Sequence, residues 1–106
     1  VHGMKTREAQ IDVPRIEKIR RLTDTPLVLH GASGIPDESV KKAIKVGICK
    51  INIDTEIRKA FVRGISTVLK ENPNEIDPRK ILGKAKTEMK EAVREKIRLF
   101  GCAGKA

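Results

Sequence analysis

The sequence predicts an α/β chain built on parallel strands, and three observations predict it. Short β-like runs at residues 26–30 and 48–53 alternate with stretches whose apolar residues recur every three or four positions. The run at 26–30 is apolar up to its closing histidine and is bounded by turn residues, the pattern of a strand buried on both faces. Strand and helix then follow each other in strict alternation, which calls for parallel pairing through crossover helices.

Taken in order, Val1-His2 reads as the last step of a strand. The chain opens on Val1-His2-Gly3 with no initiator methionine, so the expectation is a cut within a longer protein. Asp12-Val13-Pro14 opens a helix, because aspartate caps exposed amides and proline suits a first turn. Ile16, Ile19 and Leu22 are expected as its buried stripe. After Thr23 to Pro26 breaks it, residues 26–30 form a strand ending in His30, followed by the small-residue loop Gly31-Ala32-Ser33-Gly34. Pro36-Asp37 starts a second helix with Val40, Ala43 and Ile44 inward, ended by Gly47.

Residues 48–53 make the next strand, running into Asn52-Ile53-Asp54-Thr55. A third helix carries Ile57, Phe61, Ile65 and Val68 on one face. Gly64 in its middle costs about 1 kcal/mol relative to alanine, which marks a place of close packing. Asn72-Pro73-Asn74 ends that helix and Asp77-Pro78 opens the last, over about 78–100. Its stripe of Leu82, Ala85, Met89, Ala92 and Lys96, widened by Val93, Ile97 and Phe100, is broad enough to need a partner surface. The tail from Gly101 is small and irregular. Two βα units and a stump close nothing alone, whereas a (β/α)8 TIM barrel repeats the unit eight times over about 250 residues. Residues 1–106 are therefore expected to be one portion of a single barrel domain, holding its last three strands and terminal helices.

Composition narrows the function. With 106 residues, 39% hydrophobic and 35% charged, the balance is that of a globular domain. No apolar stretch approaches the roughly 20 residues of a membrane span, and nothing resembles a secretory signal. Cys49 and Cys102 read as reduced thiols without metal-site spacing, so the expected setting is cytoplasmic. A net charge of +9 admits nucleic acid as a partner. Yet the lysines and arginines are interleaved with glutamates, as in Glu88-Met89-Lys90-Glu91, and only two aromatics are available for base stacking. Neither nucleic acid nor membrane is expected, and a small phosphorylated molecule suits the charge as well.

The chemistry gathers where strands end. His30, the loop Gly31-Ala32-Ser33-Gly34, and the segment Asn52-Ile53-Asp54-Thr55 all follow strand C-termini, as His2-Gly3 does, and in α/β folds ligands bind at that end. A lone histidine there is usually structural, and two, each followed by glycine, favour a shared metal. A catalytic zinc takes about three protein ligands, and this chain has two histidines. Glycines let main-chain amides approach an anion, Ser33 adds a hydroxyl, and a nearby helix N-terminus adds partial positive charge. The bland alternative is that Gly31 and Gly34 serve only a turn while Asp54 and Thr55 only cap a helix.

Leu27-Val28-Leu29-His30-Gly31-Ala32-Ser33-Gly34-Ile35-Pro36 and Lys50-Ile51-Asn52-Ile53-Asp54-Thr55-Glu56 resemble the two signature segments of class II, zinc-dependent fructose-bisphosphate aldolases. His2-Gly3, Asp77-Pro78-Arg79 and the closing Phe100-Gly101-Cys102-Ala103-Gly104-Lys105-Ala106 are similar to that family too, in its order and spacing. The resemblance implies that His2 and His30 are zinc ligands. It implies a substrate site of Gly3, Gly31, Ala32, Ser33, Asn52, Ile53, Asp54 and Thr55, in which Asn52 is catalytic and helps hold the enediolate. Zinc would act as a Lewis acid, polarising the ketone of fructose 1,6-bisphosphate as it is cleaved to dihydroxyacetone phosphate and glyceraldehyde 3-phosphate. The family's third zinc histidine, its proton-transferring aspartate and its mobile-loop glutamate are not on this chain. Lys5 and Thr6 stand where the family has a Tyr-Lys pair. A tagatose-bisphosphate aldolase is the neighbouring reading, and a non-catalytic phosphate-binding or oligomerising fragment the reading of another class. The partners implied are a phosphorylated sugar and either further copies of the chain or a complementary aldolase fragment.

Overall fold

A computed structural model describes residues 10–105. The expectations placed on Val1, His2, Gly3, Lys5 and Thr6 lie outside the described residues. Those described fall into two compact units, one ending at Asp54 and the other beginning at Thr55.

The first unit holds α1 (Val13–Leu22), β1 (Leu27–Leu29), α2 (Asp37–Lys45) and β2 (Ile48–Ile51). Asp12 caps α1, its carboxylate accepting the Arg15 main-chain N–H at 3.1 Å, and Pro14 sits in the first turn. Here the expected stripe needs correcting. Ile16 is half-buried, but Ile19 is 43% and Leu22 79% exposed, and α1 buries no residue. The helical spacing is real, but among the described residues only Ile16 of that stripe is partly covered.

β1 and β2 pair in parallel, Leu27 beside Ile48, Val28 beside Lys50 and Leu29 beside Ile51, with an irregularity between Leu27 and Val28. The crossover helix α2 buries Val40 and Ala43, which with Ala32, Ile35 and Ile48 make the core of this unit. Full burial of a side chain such as Val40 stabilises by about 1.5–3 kcal/mol. The expectation that the run at 26–30 is buried on both faces does not hold, since Val28 is 40% exposed, and in β2 Cys49 and Lys50 are exposed too. A parallel sheet is enclosed only where layers lie on both sides, and the described residues do not enclose this one.

The second unit is a helical hairpin of α3 (Thr55–Glu71) and α4 (Pro78–Leu99). Gly64 explains itself here. A Cβ placed on it would lie 2.5 Å from the Cα and 2.7 Å from the nitrogen of Ala85, so the two helices touch backbone to backbone. Ala60, Gly64 and Ala85 are the buried residues of that contact. Glu56 pairs with Lys96 and Arg63 with Glu88, early with late and middle with middle, so the helices run antiparallel. The connection is locked by Asn72 Nδ2 donating to Glu75 (3.1 Å) and by the Asp77 N–H donating to the same carboxylate (3.0 Å). α4 closes with the Gly101 N–H on the Arg98 carbonyl and the Cys102 N–H on the Ile97 carbonyl, a left-handed glycine termination.

Candidate functional site at the strand ends

The site residues of the first unit are assembled by main-chain pairing that continues past the ends of the strands. His30 lies one residue beyond β1 and Asn52 one residue beyond β2, both just outside the strands expected to contain them. The Asn52 N–H donates to the Leu29 carbonyl at 3.0 Å, and the Asn52 carbonyl accepts the Ala32 N–H at 3.1 Å. One residue therefore straddles the histidine turn with both main-chain groups. Its side-chain Nδ2 lies 3.1 Å from His30 Nδ1.

These bonds bring the loop at 31–33 and Asn52 to the same end of the sheet. They also correct one detail of the expected phosphate cradle. The Ala32 N–H was expected to face an anion, and it is committed to holding the two loops together. Ala32 is buried, with the Ile35 N–H donating to its carbonyl at 3.3 Å. Gly31 (φ +63°) and Gly34 (φ +82°) take the left-handed conformation that lets the chain reverse after His30, a cost any other residue would bear. Ser33 is half-buried within this turn.

Of the second segment, Ile53 is half-buried and Asp54 exposed. Thr55 is the first residue of α3 and belongs to the second unit. The helix after the glycine loop, α2, starts at Pro36 without a side-chain cap and carries Asp37 and Glu38 in its first turn. Those carboxylates already answer its partial positive charge, which weakens the expected contribution of that terminus to anion binding. Among the described residues no three His, Cys, Asp or Glu side chains stand close enough to hold a metal. His30 is the one described residue of the expected zinc pair.

Sequence reasoning missed a shallow cavity of about 400 Å³ on α3, lined by Thr55, Arg58, Lys59, Val62, Arg63 and Ser66. The signal was present as the three-and-four spacing of Thr55, Arg58, Lys59, Val62 and Ser66, with Val62 58% exposed.

Comparison with known proteins follows the same residues. The family model described as fructose-bisphosphate aldolase class-II matches residues 1–105. A sulfofructosephosphate aldolase of Alkalicoccus urumqiensis is 48% identical over 99% of the chain, and a fructose-bisphosphate aldolase of Geobacillus stearothermophilus is 45% identical over all of it. The chain spans 37% of the length of each. Among solved structures, the YdjI aldolase of Escherichia coli K12 matches 92% of the chain with a TM-score of 0.78 at 40% identity, the match covering 36% of that structure. A fructose-bisphosphate aldolase of Campylobacter jejuni matches the whole chain and 39% of its own with a TM-score of 0.79, at 21% identity a likeness of fold.

Proposed function

The chain belongs to the class-II fructose-bisphosphate aldolase family, and on that premise we propose that it supplies the phosphate-binding loops and part of the metal site of an aldolase that cleaves a phosphorylated ketose. The observation that carries the reading is the bonding of His30 and Asn52 across the C-terminal ends of two adjacent parallel strands. On this reading residues 1–106 are one portion of a (β/α)8 barrel, and the exposed residues of the β1–β2 sheet are where further barrel would pack.

His30 fits a zinc ligand. It is an imidazole at the C-terminal end of a parallel strand, where its ring is held by a neighbouring amide until an ion takes that place. His2 would be its companion. Zinc, when bound, supplies a Lewis acid for the ketone oxygen of the substrate. The chain's own part is positioning. Gly3, Gly31, Ser33, Ile53, Asp54 and Thr55 would line the phosphate end, with Ala32 tying the two loops together behind them, and Asn52 would offer its amide to the oxygens beside the bond that breaks.

Fructose 1,6-bisphosphate is the substrate proposed first. Tagatose bisphosphate and a sulfofructose phosphate share a phosphate with it and differ elsewhere, so the loops described here do not separate them. In the full-length protein, His30→Ala is expected to lower metal affinity and kcat together, by at least the roughly 10–100-fold that losing an outer partner of a ligand costs. Ser33→Ala is expected to raise KM several-fold with little change in kcat. Cleavage of all three sugars that survives His30→Ala unchanged would overturn the assignment. The exposed apolar side chains of both units favour one further reading for the isolated chain, that it associates with copies of itself or with the rest of an aldolase.

A further inference from the structure

We propose that Asn52 is a positioning residue for His30: its side-chain amide holds the imidazole in the Nε2–H tautomer and keeps the Nδ1 lone pair directed at the end of β2. Asn52 is itself fixed before its side chain does anything. Its N–H is bound to the carbonyl of Leu29, just before His30, and its carbonyl to the N–H of Ala32, two residues after it. With main-chain bonds on both sides of the histidine, the Asn52 Cα has little freedom, and its short side chain reaches Nδ1 at 3.1 Å. An amide NH2 can only donate, so the ring nitrogen facing it accepts, and a neutral imidazole that accepts at Nδ1 carries its proton on Nε2.

This role is separate from contact with a substrate. It acts through the histidine, and it is set by the register of β1 and β2, which places Leu29 beside Ile51 and so brings the next residue of each strand together. The consequence for a metal rests on the aldolase reading. The lone pair that Asn52 holds is one through which His30 would ligate, and an ion bound there would take the place of the amide.

The tautomer is read directly by 15N NMR of the imidazole in the 106-residue chain, without metal or substrate, at a mildly alkaline pH of about 9. His2→Gln removes the other histidine's signals. The expected pattern is a lone-pair-bearing Nδ1 and a protonated Nε2 for His30. Asn52→Asp keeps the shape but only accepts, so the pattern should invert to Nδ1–H. Asn52→Ala should shift the tautomer ratio roughly five-fold, the worth of one ordinary hydrogen bond. A protonated Nδ1 in the unaltered chain, or Asn52→Asp spectra that match it, would overturn the proposal. Because no activity is measured, that failure leaves the aldolase reading standing, and loss of the aldolase reading leaves the tautomer result standing.

Discussion

Asp77 caps α4 and grips Arg79 at the same time. Its carboxylate accepts from the Arg79 side chain at Nε (3.1 Å) and Nη2 (2.9 Å) and from the Arg79 main-chain N–H (2.9 Å). The side-chain bonds first, and the main-chain bond second, hold the Asp77 carboxyl below its ordinary value of 3.8 and push the guanidinium up. The unfolded chain then binds more protons than the folded one across that interval, so this contribution is fully present above pH 3.8 and is lost as pH falls through the lower folded value. Exchange protection of the Lys80 and Ile81 amides, both bonded to the Asp77 carbonyl, should drop in that acid window. Asp77→Asn, which still caps but carries no charge, should remove that step, and identical acid profiles for the two chains would count against the assignment. Two glycines give opposite signs in one experiment. Gly64→Ala gains about 1 kcal/mol of helix propensity but forces a methyl against the backbone of Ala85, an overpacking cost of about 1–3 kcal/mol. The denaturation midpoint should fall. Gly83→Ala meets nothing within 4 Å, so its midpoint should rise by the propensity gain alone.

At the scale of the element, α3 and α4 show why a lysine stands in an apolar stripe. Lys96 follows the spacing of Leu82, Ala85 and Met89, yet its side chain is 18% exposed because it reaches Glu56 in the first turn of α3. A pair joining two helices with both partners largely covered couples more strongly than an exposed pair within one helix, where long side chains stay solvated. A double-mutant cycle on Glu56 and Lys96 should give a coupling near 1 kcal/mol. The same cycle on Glu91 and Arg94, both about half exposed on α4, should give a few tenths. Equal couplings would mean that the interhelical pair adds nothing beyond packing.

At the scale of the whole molecule, apolar surface is left uncovered in both units. Leu22 (79%), Ile76 (89%), Val62 (58%) and Leu82 (47%) are large side chains open to solvent, while the residues of the core are mostly small. Patches of this kind mark association surfaces. The isolated chain should therefore show an apparent mass that rises with concentration above 11.8 kDa, and Leu22→Gln with Ile76→Gln should reduce the rise. Light scattering that stays at the monomer mass throughout would count against that expectation. No helix among the described residues is long and apolar enough to cross a membrane, so the exposed apolar residues do not form a spanning segment.

What the sequence determined by itself is what neighbouring residues dictate. Asp12 and Asp77 as caps, Pro14 and Pro78 in first turns, the alternation of strand and helix, and the placing of His30 and Asn52 beside strand ends depend on interactions a few residues apart. Motif and order also sufficed for the family, because its two signature segments are contiguous. The strand-end reach of His30 and Asn52 was legible in outline, but their hydrogen bond was not. A parallel register is set by long-range pairing, and one step of slip would turn every side chain to the other face. For the same reason the use of the Ala32 amide between loops, the Lys96–Glu56 pair and the backbone contact at Gly64 were decided only by tertiary structure. Exposure of Leu22 and Val28 belongs there as well. Periodicity says which residues share a face, and only the packed surroundings say whether anything covers it.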